Sequence, residues 1–423
     1  MGNLMREYWI PALLASELPR PDSDPVRVLL LGERLIAFRD SNGSIGLLQN
    51  NCPHRGASLF FGRNEASGLR CVYHGWKFDV TGGCVDMPNE PAESDFKHKV
   101  TAVAYPTCER GGVIWAYMGP RPEPPPLPDL EANMLPEGEY VLSATQRECN
   151  WLQTIEGDID TSHAGFLHSG GVRPEEAEPG TFRYYMLADR APKYAVLDTD
   201  VGVTYGGYRD ARPGHEYWRI AQFMFPFYAI PPAGVLGHKV ITMCRVPMDD
   251  GHTLNITMAP RRGRRIRAAG GPDSGLLPNT TDWYGRFRLA ANGNNDYQID
   301  RDLQRHNTGP DGYTGIHGVN LQDQAITESM GPIYDRSTEH LGTSDTMIIR
   351  VRRRLLNAVR AHAEQAITPP GVDDPRAYHQ RGGGVFLPKG VDWVAATAEL
   401  RKAFVNHPEL DLTVAGEPVG GAG

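Results

Sequence analysis

The sequence contains two short stretches that decide its fold, Cys52-Pro53-His54-Arg55-Gly56 and Cys71-Val72-Tyr73-His74-Gly75-Trp76. Each stretch carries one cysteine with one histidine two or three residues later, so one tight turn can direct both side chains to a single metal centre. A structural zinc ion also accepts two Cys and two His, but zinc fingers usually pair Cys with Cys and His with His. The mixed pairs therefore indicate a different kind of metal centre, and zinc is the competing interpretation.

The composition of the 423-residue chain indicates many loops and short strands. Its 47 Gly and 34 Pro argue against an all-helical or coiled-coil protein. The formal charge of −8 does not favour a nucleic-acid partner. Six cysteines are too few for a disulfide scaffold, and no apolar run approaches the roughly 18 residues that span a bilayer. We therefore expect a soluble cytoplasmic protein with reduced thiols and no membrane partner.

Short strand patterns precede a proline-rich connector. Asn42-Gly43 is a strong hairpin signal because both residues tolerate a positive φ. Prolines dominate residues 119–128, which favours an extended connector. We place a domain boundary there, so that residues 1–128 form an all-β domain with an N-terminal helical segment and residues 129–423 form a second domain. The predicted strands of the first domain are residues 26–31, 35–38, 45–48, 77–80, 84–87 and 113–118.

The second domain combines helical and strand patterns. A stretch with few helix breakers predicts a helix over residues 151–167, and apolar periodicity predicts two more over 345–367 and 391–405. The other predictions are strands within 182–247, among them 217–225 and 239–246, a mobile excursion over 261–279 and a frayed end over 416–423.

A second set of possible ligands lies in the first of these predicted helices. Asp160 and His163 are three residues apart and therefore share one face of an ideal helix. His168 lies about 140° around such a helix from His163. For both imidazoles to bind one ion, the helix must bulge or end near Gly165. The alternative is a pair of uncoordinated histidines.

The two Cys–His stretches closely resemble the Rieske [2Fe–2S] motif, in which two Cys hold one iron and two His hold the other. The resemblance covers about residues 26–119. It implies that Cys52, His54, Cys71 and His74 bind the cluster. The remaining cysteines have no ligand spacing and are expected to be small buried residues: Cys84, Cys108, Cys149 and Cys244.

The pattern Asp-x2-His-x4-His after a Rieske motif resembles the Rieske non-haem iron oxygenases. The resemblance implies a mononuclear Fe(II) site with His163, His168 and a late Asp as ligands, with positions left open for O₂. Asp323 best fits the family because a Glu follows it five residues later. Asp335 and Asp345 are the fallback candidates. A surface carboxylate is the alternative interpretation of Asp323.

For Asp160 the resemblance to this family implies a role other than iron binding, namely a bridge for electrons. There the carboxylate accepts a hydrogen bond from the cluster-binding His of a neighbouring subunit, here His74, and from a ligand His. Several members carry Asn four residues earlier, where this chain has Glu156. Any part of that position in the surroundings of the iron is therefore open.

Nearly the whole chain resembles the phthalate 4,5-dioxygenase group of oxygenase components. The resemblance implies an α+β protein: an all-β Rieske domain followed by a helix-grip (START-like) catalytic domain with an antiparallel sheet. It also implies homotrimers or hexamers, electrons from NADH through a reductase with a flavin and a [2Fe–2S] cluster, and an aromatic carboxylate as substrate. We expect cis-dihydroxylation. Monooxygenation or O-demethylation is the alternative, and a Rieske electron carrier without oxygenase chemistry is a further one.

Arginines supply the candidate substrate and partner contacts. A buried substrate carboxylate needs a cation. Arg209, in Tyr205-Gly206-Gly207-Tyr208-Arg209, matches where the family places one, and Arg245 is the weaker candidate. Both could instead be surface residues at strand ends. A run of Arg350, Arg352, Arg353 and Arg354 on a predicted helix favours structural salt bridges or a solvated face over docking of an acidic reductase.

Overall fold

Short antiparallel strands form the N-terminal part of the computed structural model, which describes residues 1–238, 241–261 and 275–407. A helix over Gly2–Arg6 (α1) precedes them, as predicted. The strands are β1 (Trp9–Leu14), β2 (Val26–Leu30), β3 (Glu33–Arg39), β4 (Ile45–Gln49), β5 (Arg63–Glu65), β6 (Gly68–Arg70), β7 (Lys77–Phe78), β8 (Cys84–Asp86), β9 (Thr107–Arg110) and β10 (Val113–Tyr117).

These strands form three small sheets, in the orders β1-β10-β9, β2-β3-β4 and β5-β6-β7-β8. The hairpin predicted at Asn42-Gly43 is confirmed, the strands predicted over 77–80 and 84–87 pair as a second hairpin, and each turn is stabilised by an aspartate. Asp40 Oδ1 accepts from the backbone N–H groups of Asn42 and Ser44 between β3 and β4. Asp79 Oδ1 accepts from those of Thr81 and Gly83 between β7 and β8. Such side-chain bonds favour turns over regular structure.

The second part of the chain is an antiparallel sheet with helices against it, which confirms the predicted α+β class. The sheet has the order β11-β17-β16-β15-β14-β13-β12, and the last strand, β18, pairs with β14. The strands are β11 (Tyr140–Arg147), β12 (Lys193–Thr199), β13 (Gly202–Asp210), β14 (His215–Met224), β15 (Tyr228–Ile230), β16 (Thr242–Pro247), β17 (Thr253–Pro260) and β18 (Gly383–Pro388).

The helices of this part pack against the sheet and against each other. The longest helix, α6 (Thr346–Gln365), packs on β12 and β13. It also contacts α1 and the first helix of this part, α2 (Trp151–Ile159). This helix confirms the prediction of a helix over residues 345–367. The helices are α2 (Trp151–Ile159), α3 (Phe182–Ala188), α4 (Arg301–His306), α5 (Val319–Ser329), α6 (Thr346–Gln365) and α7 (Trp393–Ala396).

The hydrophobic core does not follow the proposed domain boundary. One buried cluster joins residues of β1, β2 and β10 to residues of the large sheet, α2 and α6. Trp9 donates its indole N–H to the Pro125 carbonyl in the connector, and Tyr228 of β15 donates to the Trp9 carbonyl. A second, smaller buried cluster contains Cys52 and Cys71. The division at residue 128 therefore stays a prediction.

Two predicted helices end earlier than expected. In α2 the helix ends at Ile159 because Asp160 is extended and accepts from the Ser162 N–H at 2.6 Å, which competes with the helical pattern. The helix predicted over 391–405 is limited to α7, and farther along the chain the Arg401 carbonyl accepts from the Arg381 N–H. Residues 239–240 of a predicted strand, 262–274 of the predicted excursion and the predicted frayed end lie outside the described residues.

Three of the four arginines in the α6 run form ion pairs, which confirms the structural interpretation for them. Arg350 and Arg354 both pair with Asp198 of β12. Arg352 pairs with Glu156 of α2 and with Glu339. Among the described residues, no helix has the length and apolar character required to cross a membrane.

Candidate metal centres

The two Cys–His stretches form turns with the same backbone hydrogen bonds. In the first, the Cys52 N–H donates to the Ala57 carbonyl and the Gly56 N–H donates to the Cys52 carbonyl, at 2.8 and 2.9 Å. In the second, residues 71, 75 and 76 repeat this pattern at 2.8 and 3.0 Å. Both glycines have a positive φ, +77° and +81°, which other residues rarely adopt. The sequence therefore specifies two matching turns.

The donor atoms of these turns fit a cluster. Burial raises the pKa of the Cys52 thiol to about 11, partly offset by backbone hydrogen bonds from His54 and Arg55. A bound cation would favour the thiolate. His74 Nδ1 is buried without a hydrogen-bond partner in the described part of the chain, and its ring lies 4.4 Å from that of His54. His54 in turn stacks on Trp76 at 4.3 Å.

A single ion fits these four side chains less well. In the described residues, one set of His, Cys, Asp or Glu side chains brings three ligand atoms within 4.8 Å of one another, and it contains none of the four turn residues. Ligands at about 2.0–2.3 Å from one zinc ion would lie closer together than that. The wider spacing of a two-iron cluster suits the turns better.

The set that meets this limit is His163, His168 and Asp323. His163 Nε2 and His168 Nε2 lie 3.1 Å apart. Asp323 Oδ1 lies 3.6 Å from the first nitrogen and 3.1 Å from the second. Two imidazoles and one carboxylate on one side of an ion, with other positions open, form the arrangement of non-haem Fe(II) oxygenases. The structure thus brings together the three ligands that the sequence predicted.

His163 does not lie on α2 but on a short 3-10 helix over His163–Gly165 that follows it. The predicted common helix face with Asp160 is therefore wrong, yet the two side chains still meet, at 3.2 Å between Nδ1 and Asp160 Oδ2. Burial alone lowers the pKa of His163, but the Asp160 hydrogen bond and the electrostatic interactions with Asp160 and Asp323 together raise it. Burial alone raises the pKa of Asp160, but the hydrogen bonds from His163 and Ser162 and the electrostatic interaction with His163 together lower it.

His168 has a partner that the sequence analysis gave no role. Its Nδ1 lies 2.7 Å from Oε1 of Gln322, the residue directly before Asp323 on α5. Burial alone raises the pKa of Asp323, but the His168 hydrogen bond and the electrostatic interactions with His168, His163 and Arg147 together lower it. Since both imidazoles place Nδ1 against an acceptor, both can present an unprotonated Nε2 to the ion. The only sequence signal for Gln322 was its position beside Asp323.

The other acidic candidates lie elsewhere. Glu156 on α2 directs its carboxylate to Arg352, at 2.5 and 2.8 Å, and so faces α6. Asp335 caps a 3-10 helix by accepting from the Ser337 N–H, and Asp345 accepts from the Gly342 N–H. None of the three belongs to the ligand set described above.

The two candidate substrate arginines differ in their partners. Arg209, on β13, is 2% exposed and donates Nε–H to the Asp189 carbonyl at 2.6 Å. Its Nη1 and Nη2 have no hydrogen-bond partner among the described residues. Burial lowers the pKa of Arg209 to about 10, and the nearby Arg219 adds to the shift. Arg245 instead makes a bidentate pair with Asp158 at 2.5 and 2.6 Å. A role of Arg245 in substrate binding stays a prediction. It would require Arg245 to exchange Asp158 for the substrate carboxylate.

The sheet face that carries Arg209 also meets the iron-site segment. Gly207 lies two residues earlier and on the same face. A Cβ on Gly207 would lie 2.7 Å from the Thr161 side chain, so a glycine is needed for this close approach. Arg219, opposite Gly207 on β14, donates to Thr161 Oγ1 at 2.6 Å. Arg209 therefore lies near the segment that begins with Asp160.

Comparisons with known proteins agree with these two centres. Residues 8–104 match the Rieske [2Fe-2S] domain family, and residues 116–413 match the family described as LigXa C-terminal domain like. The chain therefore belongs to the Rieske non-haem iron oxygenases, as a terminal oxygenase component of the alpha-subunit type. It carries a Rieske cluster and a mononuclear iron. The zinc-protein and electron-carrier alternatives are set aside.

Two relatives make the similarity more specific. The 3-chlorobenzoate-3,4-dioxygenase oxygenase subunit of Comamonas testosteroni is 46% identical over 94% of both chains. The phthalate 4,5-dioxygenase oxygenase subunit of Pseudomonas putida is 37% identical over 85% of this chain and 83% of its own. The crystal structure of dicamba monooxygenase bound to dicamba, 17% identical, covers 86% of this chain and 100% of its own with a TM-score of 0.58, and it shares the fold.

Proposed function

We propose that this oxygenase component acts on an aromatic carboxylate and that Arg209 binds the carboxylate group. The observation that carries the proposal is the buried guanidinium whose Nη1 and Nη2 have no partner among the described residues. A buried cation without a partner is unfavourable, and one carboxylate can accept from both nitrogens. The relatives named for 3-chlorobenzoate and phthalate support the same substrate class.

The proposed reaction is cis-dihydroxylation, in which the ring gains both atoms of O₂ and the reaction consumes two electrons and two protons. The dioxygenase names of both relatives support it. Insertion of one oxygen atom, as in hydroxylation or O-demethylation, is the alternative that the isotope experiment below separates from it.

The residues of the two sites have distinct proposed tasks. When bound, the cluster supplies electrons one at a time and the ferrous iron supplies a site that activates O₂. His163, His168 and Asp323 would hold the iron through Nε2, Nε2 and Oδ1. The four turn residues would hold the cluster, with His74 Nδ1 as its ligand atom. Arg209 would orient the ring through its carboxylate.

Electrons would reach the iron site through Asp160. We propose that its carboxylate bridges His163 and His74 of the partner subunit in a homotrimer or hexamer. The Asp160 side chain remains 20% exposed, which leaves room for that contact. Near the cluster ligands, Tyr73 and Phe61 are 55% and 64% exposed, and such apolar surface is typical of an interface.

The proposal also includes a partner and a location. A reductase with a flavin and a [2Fe–2S] cluster would pass electrons from NADH to the Rieske cluster. We expect this system in the cytoplasm, which fits the six cysteines because all are free thiols in the structure.

The test begins with a panel of phthalate isomers, chlorobenzoates and methoxybenzoates, with ¹⁸O₂ as oxidant. We expect at least one acid to stimulate O₂ uptake and to gain two labelled oxygens. One labelled oxygen in the aromatic product, or formaldehyde released from a methoxybenzoate whose phenol product carries no label, would instead establish the monooxygenase alternative. No response to any aromatic acid would contradict the proposed substrate class.

Arg209→Gln then tests the binding residue on the best acid and on its carboxamide. Loss of a buried charge partner costs about 2–4 kcal/mol, so kcat/KM for the acid should fall roughly 30- to 1000-fold. The carboxamide should lose less than about threefold. Arg212→Gln, an exposed arginine three residues later, is the matched control and should leave both values unchanged. Equal losses for acid and carboxamide would remove Arg209 from the proposal.

A further inference from the structure

Gln322 is the buried neighbour of one proposed iron ligand. It is 1% exposed and lies on the first turn of α5. Its Oε1 lies 2.7 Å from His168 Nδ1. Its Nε2 donates to Asp311 Oδ1 at 3.0 Å and to the Ile316 carbonyl at 2.8 Å. Every polar atom of the side-chain amide therefore has a partner.

These partners allow one orientation of the amide. An ionised carboxylate and a backbone carbonyl only accept hydrogen bonds, so Asp311 and Ile316 both require the NH₂ group. A flipped amide would place Oε1 against two oxygens. The observed orientation thus presents Oε1 to His168, which places the imidazole proton on Nδ1 and the lone pair on Nε2.

We propose that Gln322, oriented by Asp311, is a positioning residue that fixes the tautomer and ring direction of His168 for iron binding. The inference rests on the ligand set of the proposed function. The partner of a metal-bound imidazole typically changes metal affinity about 10- to 100-fold when it is removed.

Asp311 is itself held in place, which makes it a suitable anchor. Its Oδ1 also accepts from the Gly318 N–H at 3.1 Å, and its Oδ2 lies 3.2 Å from Nδ1 of the exposed His317. The Gly318 carbonyl accepts in turn from the backbone N–H of Gln322 at 3.1 Å. The loop before α5 and the first turn of α5 therefore form one hydrogen-bonded unit behind His168.

The two ligand histidines are oriented by different chemistry. His163 has the Asp160 carboxylate as its partner, whereas His168 has a neutral amide. An amide fixes the imidazole without adding a second negative charge beside the ligand Asp323. The orientation of the Gln322 amide depends on Asp311. A carboxylate has two equivalent oxygens and would not need such an anchor.

The experiment measures iron binding by the cluster-loaded protein after the mononuclear iron is removed with a chelator. Fe(II) is titrated back and its dissociation constant is measured, with the Rieske absorbance as an internal standard. Gln322→Leu should weaken Fe(II) binding about 10- to 100-fold. Asp311→Leu should also weaken Fe(II) binding, but by less than Gln322→Leu, because the Ile316 carbonyl still accepts from the Gln322 amide.

Gln324→Leu is the matched control, because Gln324 is a buried glutamine two residues later on α5 that contacts the Gln146 carbonyl and Glu328. It should leave Fe(II) affinity unchanged. Wild-type affinity in Gln322→Leu, wild-type affinity in Asp311→Leu, or an equal loss in Gln324→Leu would each overturn the inference. A wild-type protein that binds no third iron, with no effect of His168→Ala, would instead contradict the ligand set itself.

Discussion

At the cluster end of the molecule, Cys52 and Cys71 begin two turns with the same hydrogen bonds, and each turn contains two of the proposed cluster ligands. At the iron end, His163 and His168 meet Asp323 of α5, a helix from a much later part of the sequence. The proposed cluster ligands are thus arranged by local structure, whereas the proposed iron ligands are brought together by the packing of the catalytic part. This difference has consequences for stability that can be measured.

The small core around the cluster should depend on its metal. Cys52 and Cys71 belong to the second, smaller group of buried hydrophobic residues. Their sulfurs are therefore part of this small core as well as proposed ligands of the [2Fe–2S] cluster. Cys71→Ser should remove about two of three irons per subunit, abolish oxygenation and lower the melting temperature by more than about 5 °C. Iron analysis, EPR of the reduced protein and calorimetry measure these effects. A stable variant without a cluster would show that the turns fold without metal.

The iron end should tolerate the loss of its metal. Its ligand segment follows α2, whose residues Trp151, Ile155 and Ile159 belong to the large core, so His163→Ala should leave the melting temperature within about 2 °C of the wild-type value. The same variant should lose about one of three irons and at least about 1000-fold in activity, with the Rieske EPR signal unchanged. A melting temperature that falls as far as in Cys71→Ser would remove the distinction between the two ends.

Sequence reasoning was most complete where structure is local. The turn residues, both hairpins and the fold class followed from short motifs and the family resemblance. The end of α2 did not, because the bond from Asp160 to the Ser162 N–H competes with a helix that the sequence pattern favours. Gln322 was also missed, since its contact with His168 exists only after α5 packs against the ligand segment.

We expect an ion pair, rather than the iron, to stabilise the fold around the iron site. The side chains of Arg245 and Asp158 are 5% and 10% exposed, and Asp158 lies on α2 two residues before Asp160. Arg245→Gln leaves the carboxylate unpaired and should lower the free energy of unfolding by about 3–5 kcal/mol. Chemical denaturation measures this change, and Arg245→Met with Asp158→Leu should recover most of it. If the single variant is stable but loses turnover of the aromatic acid, Arg245 binds substrate after all.

The smallest expected effect is a pH dependence at the contact between α2 and α6. Arg352 pairs with Glu156 of α2 and with Glu339, and its hydrogen bond lowers the pKa of Glu339 from the ordinary 4.5, against a smaller raising effect of burial. The folded state therefore binds fewer protons than the unfolded chain just below pH 4.5. The Arg352–Glu339 pair should stabilise the protein by about 1 kcal/mol at neutral pH. This contribution should disappear as the pH falls through the lowered pKa of Glu339. Denaturation of wild type and Glu339→Gln should differ at pH 7 and converge in acid. A constant difference at all pH values would contradict the assignment.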